Sequence, residues 1–163
     1  MSTKKSLYPF LLILALTFTS CSNNEASSEE TAIALKSYQY SSTELDLMDR
    51  INQHRSSIGL AVLEQIEHVS YKAYEHNLFM IDNNHVGHHN FNQRSQHLRQ
   101  TLPASKVGEN LAFNFQSNSG VLNAWLASDG HAKNIEGDFT HFGISISTDN
   151  NGRKYYTNIF IKK

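Results

Sequence analysis

Cys21 is the only cysteine among 163 residues. A fold built from this chain therefore has neither an internal disulfide nor a cysteine-rich zinc module, and must draw its stability from a hydrophobic core. The length suffices for one domain of ordinary size and falls short of two. With 14 Lys plus Arg against 15 Asp plus Glu, 18% charged and 39% hydrophobic residues, the composition is that of a globular domain and not of a disordered chain. The net charge of -1 lacks the basic excess that a nucleic-acid surface uses, so nucleic acid is not an expected partner.

Lys4 and Lys5 precede an apolar run, Leu7 to Phe18, that is too short to span a bilayer as a helix. That pattern predicts a cleaved export signal over residues 1–20. Phe18-Thr19-Ser20-Cys21 resembles the lipobox of bacterial lipoproteins, although Phe18 stands where leucine is usual. The resemblance implies that Cys21 is lipidated and anchors the mature chain to the membrane. Residues 22–31 are polar, Ser-rich and acidic, so residues 21–40 are expected to form a disordered tether ahead of a domain over residues 41–163.

Within the domain, Ser42 or Thr43 can cap a helix to about residue 57, with Leu45, Leu47, Met48 and Ile51 at apolar helical spacing and Gly59 beyond its end. Val69, Ala73, His76 and Met80 recur at three- and four-residue spacing, which predicts a second helix from about Ile66 to Asp82 and places His76 in the core. An Asn- and His-rich loop over residues 83–92 leads to a short helix near Gln93 to Arg99. Val107 to Phe115 suits a buried strand, and Val121 to Ala127 a short helix with Trp125 in the core. Phe142, Ile144 and Ile146 alternate with small or polar residues, residues 149–152 can turn, and residues 155–161 return, which predicts an antiparallel hairpin. Helices followed by strands, with no βαβ repeat, indicate an α+β fold.

The chain has no His-Glu-x-x-His, no Gly-x-Ser-x-Gly and no EF-hand loop. It does have, in order, Asn52-x-x-Arg55, His76, His88-His-Asn-Phe-Asn-Gln-Arg94, Gly108-Glu109-Asn110 and Trp125-Leu-Ala-Ser128-Asp-Gly-His131-x-x-Asn134-Ile135, then the strands GIS and YYTNIF. Over about residues 43–161 these motifs resemble the CAP superfamily, the cysteine-rich secretory protein, antigen 5 and pathogenesis-related 1 group, in its bacterial SCP-like branch. The resemblance implies an α-β-α sandwich around a three-stranded antiparallel sheet. It also implies an open cavity lined by two histidines and two acids, three of which are matched by His88, Glu109 and His131. The second acid of eukaryotic members falls at Ser128, a departure that weakens any mechanism needing two carboxylates.

Two imidazoles and a carboxylate suit a borderline divalent ion, zinc above all, with His88 and His131 as ligands. Glu109 then either supports a ligand histidine or accepts a proton from water, and residue types alone do not choose. Asn110, Ser128 and Asn134 are expected to shape the cavity, with Ser128 turning the chain and not acting as a nucleophile. His85 and His89 flank His88, so a local three-histidine set is a further arrangement the spacing permits. The function this suggests is an exported lipoprotein that binds a divalent metal and an extracellular lipid, peptide or glycan. A metal-dependent hydrolase of peptide or cell-wall polysaccharide, with Glu109 as base, and a structural or adhesive surface domain are the alternatives.

Overall fold

The computed structural model describes residues 34–163; the signal segment, Cys21 and the tether to residue 33 lie outside the described residues. The elements run α1 (Ser42–Ser57), β1 (Glu64–Gln65), α2 (Glu67–Asp82), α3 (Phe91–Thr101), β2 (Lys106–Phe113), α4 (Asn118–Leu126), α5 (Asp129–Ile135), β3 (His141–Thr148) and β4 (Lys154–Lys162). The cap of α1 is Ser41, one residue before the expected pair. Its hydroxyl accepts from the Glu44 amide while Glu44 Oε2 accepts from the Ser41 amide at 2.8 Å, a closed capping box.

The sheet has the order β1-β3-β4-β2. β3 and β2 flank β4 antiparallel, which is the expected three-stranded sheet, and the two residues of β1 add a short parallel edge beside β3. β4 is buried from Tyr155 to Ile161 because both faces of the sheet are covered. Tyr156 and Phe160 join Leu47 and Ile51 of α1, Val121 and Trp125 of α4 and Ile135 of α5 in one core. Ile159 and Ile161, on the opposite face, pack with Val69 and Ala73 of α2 and Leu98 of α3. The α+β fold is thus a three-layer α-β-α sandwich. The α5 helix is an element the periodicity did not predict.

The tether does not reach Tyr40 as a disordered segment. The Lys36 amide donates to His68 Nδ1 at 2.9 Å, and the Tyr38 amide donates to Glu67 Oε2 at 3.1 Å. The Tyr38 hydroxyl donates to Glu44 Oε1 at 2.6 Å and lies 2.9 Å from Ser145 Oγ. Residues 36–40 form a strap along α2, because their tyrosines find buried polar partners that composition does not reveal.

α2 approaches β3 through a bare backbone. A Cβ on Gly143 would collide with the Ser70 amide and with the carbonyl carbon of Val69, the latter at 2.6 Å. Since backbone cannot rotate aside, Gly143→Ala is expected to destabilise the domain by about 3 kcal/mol or more, read from the urea midpoint. An unchanged midpoint would show that α2 does not sit this close to the sheet.

Candidate functional site at the edge of the sheet

β2 is the outer strand of the sheet, so elements from both faces can reach round it. Glu109 points toward α2 and α3 with its side chain 1% exposed. A carboxylate so placed requires charged or hydrogen-bonding partners, and Arg94 and His88 supply them. Arg94 of α3 brings Nε to 2.8 Å and Nη2 to 2.6 Å of Oε2. His88, from the loop between α2 and α3, places Nδ1 2.9 Å from Oε1. His76 of α2 lies 4.0 Å from Oε1 and donates from Nε2 to the Gly87 carbonyl at 3.0 Å.

Burial pushes the Glu109 carboxyl up, but the His88 hydrogen bond and the Arg94 charge outweigh it and hold the group below its ordinary range. Glu109 is therefore an anion that only accepts, so His88 Nδ1 must carry the proton. In the neutral form of His88, Nε2 is then a lone pair, on a side chain that is 52% exposed. Asn90, Phe91, Asn92 and Gln93 line a cleft of about 470 Å³ beside it. Burial and the neighbouring Arg94 push His76 down from 6.5 to about 4, so it is neutral at physiological pH.

On the other face, the Asn110 side-chain amide donates to the His131 carbonyl at 3.0 Å, and Asn134 donates to Asn110 Oδ1 at 2.8 Å and to the Glu109 carbonyl at 3.2 Å. Gly108 is bare because Asn134 Oδ1 occupies the place of a Cβ, 2.6 Å away. These contacts seat α5 against β2. His131, half-buried on that helix, is held below its ordinary value first by burial and then by the repulsion it would meet from His88 whenever that ring is protonated. Ser128 stands at the α5 N-cap without a side-chain cap bond.

Arg94 is the site residue to which its motif alone gave no role; its position six residues after His88 carries it one turn into α3 and back over Glu109. The three-histidine set does not assemble. His85 and His89 stack edge to face at 4.6 Å, while the Nδ1 of His88 turns inward to Glu109. Among the described residues no group of three or more His, Cys, Asp and Glu side chains is placed to hold an ion. Glu109, engaged by Arg94 and His88, has no carboxylate oxygen left free for an ion.

Residues 48–160 match the CAP family, described as the cysteine-rich secretory protein family, and the chain belongs to it. A relative from Bacillus subtilis, the uncharacterized membrane protein YlbC, is 32% identical over 127 residues, which make up 74% of this chain and 35% of that protein. The chain thus matches about a third of that relative's length. An outer surface protein of Borrelia burgdorferi shares the fold with a TM-score of 0.69 at 21% identity, covering 80% of this chain and 99% of its own. An extracellular protein containing an SCP domain from Bacillus anthracis aligns with a TM-score of 0.66 at 29% identity, over 74% of this chain and 40% of its own.

His76 gives the site a pH signature. Its folded pKa, about 4, lies below the unfolded 6.5, so the unfolded chain binds the extra proton between those values. Its contribution is full above pH 6.5 and is lost as pH falls toward 4. Urea midpoints measured over this range should decline in the wild type and decline less steeply in His76→Gln, each proton accounting for a slope of about 1.4 kcal/mol per pH unit.

Proposed function

We propose that the chain is an exported CAP-domain lipoprotein, anchored in the cell envelope through a lipid on Cys21, whose His88 and His131 face binds a divalent ion and an extracellular ligand. The observation that carries this reading is the orientation of His88. Glu109 accepts a hydrogen bond from His88 Nδ1–H and leaves Nε2 free, the arrangement by which a carboxylate prepares an imidazole to serve as a ligand. Zinc held by His88 and His131 would supply a Lewis-acidic contact whose remaining positions suit donor atoms of a lipid headgroup, peptide or glycan. Export is supported by the names of the structural neighbours, an outer surface protein and an extracellular protein.

The hydrolase reading has less support. Glu109 accepts from His88 and from Arg94 Nε, with the charge of Arg94 Nη2 2.6 Å from the same oxygen, and a carboxyl held below its ordinary range is a weak general base. Ser128 stands where a second acid would be needed.

Zinc titration of residues 22–163 by calorimetry tests the site. Micromolar or tighter binding, about -8 kcal/mol or better, is expected in the wild type and should vanish in His88→Ala, His131→Ala. Equal binding in both proteins, or none, would remove the ion and leave a ligand-binding or adhesive domain. For the anchor, Cys21→Ser should shift the protein from the membrane fraction to the soluble fraction, and unchanged membrane retention would overturn the lipid assignment.

A further inference from the structure

His68, in the first turn of α2, is 2% exposed and bonded at both ring nitrogens. The Lys36 amide of the strap reaches Nδ1 at 2.9 Å. A backbone amide only donates, so Nδ1 is a lone pair and neutral His68 carries its proton on Nε2. Nε2 in turn lies 3.1 Å from Nε2 of His97 on α3. That contact is a hydrogen bond only if His97 presents a lone pair there, with its own proton on Nδ1. Strap, α2 and α3 are thus joined by a relay in which each tautomer dictates the next, and only the form with both imidazoles neutral satisfies both bonds. A proton on His68 Nδ1 would face the Lys36 N–H, and a proton on His97 Nε2 would face the His68 N–H.

The surroundings add to this discrimination. Lys36 on the strap and Lys72 on α2 set positive charge beside His68, with Glu75 one turn along α2 in opposition. Lys72 and Glu75 act on His97 in the same senses, and Arg94 and His76 line the cleft that His97 borders. Glu67 is engaged by the Tyr38 amide. Burial disfavours the charged form of both rings.

We propose that the His68–His97 pair is an acid-opened clasp: at neutral pH it holds the strap on α2 and ties α2 to α3, and protonation releases both. The strap then peels back as far as Tyr38, whose hydroxyl remains bonded to Glu44. The cleft of about 310 Å³ that Lys72, Phe79, Arg94 and His97 line then loses the tie between its two walls at His97. Neither histidine belongs to the His88–His131 site, so the clasp stands whether or not that site binds an ion.

The clasp is tested on the full-length chain by nuclear magnetic resonance. Long-range proton–nitrogen spectra at about pH 7.5 should show Nε2–H for His68 and Nδ1–H for His97. Between about pH 7.5 and 5, the Lys36 amide should lose tenfold or more of its exchange protection, after correction for intrinsic rates, as the two rings take up protons. In His68→Gln, His97→Gln, whose amides offer a donor and an acceptor at every pH, the loss should stay below about twofold. His68 found with its proton on Nδ1 at neutral pH would overturn the proposal. So would Lys36 protection that persists while both rings titrate, or an equal loss in the double variant. Should the double variant fail to fold, the wild-type tautomers and Lys36 protection decide.

Discussion

A carboxylate taken almost wholly out of water is the constraint around which this domain's functional end is arranged. Glu109 cannot remain ionised in the sandwich without compensation, and its partners come from two separate places, α3 through Arg94 and the preceding loop through His88, while neutral His76 of α2 stands 4.0 Å away. The cost of burial is offset by ordering. Arg94 fixes where α3 begins relative to the sheet, and His88 fixes the path of a loop that has no regular structure. A second carboxylate plays the same part at the other end of the sandwich. Glu44 closes the cap of α1, accepts from the Ile146 amide of β3 at 2.8 Å and holds Tyr38 of the strap.

The layered fold was legible where periodicity was strong. α2 followed from four apolar-face positions at helical spacing, and the β3–β4 hairpin from alternation around the turn at residues 149–152. Other elements lay below what local pattern resolves. Seven residues of α5 and two of β1 are too few to show a period, and their placement depends on β2 and Asn110 for the first and on β3 for the second, far away in sequence. The polar, tether-like character of residues 22–31 does not extend to the strap. Its tyrosines are instead anchored by Glu44, Ser145 and Ser70, partners that composition cannot reveal.

The site was legible as a set of residues and not as an arrangement. His88 and Glu109 were recognisable from their motifs, and the structure joins them in one hydrogen bond. The role of Glu109 was open in the sequence because it depends on Arg94, whose reach back from the first turn of α3 is a tertiary fact. Once both carboxylate oxygens are engaged, Glu109 orients an imidazole better than it accepts a proton. His131 approaches from the opposite layer, so its relation to His88 rests on the sheet edge where the two layers meet.

That edge has a consequence for how copies of the chain meet. An outer strand offers its backbone to any strand that comes alongside. β2 is the longer of the two outer strands, yet two of its carbonyls are already engaged by side chains. Asn134 donates to that of Glu109, and Trp125 Nε1 donates to that of Leu111 at 2.8 Å. The opposite outer strand, β1, is only two residues long. The same asparagine and tryptophan that seat α4 and α5 therefore also discourage neighbouring copies from zipping together into aggregates.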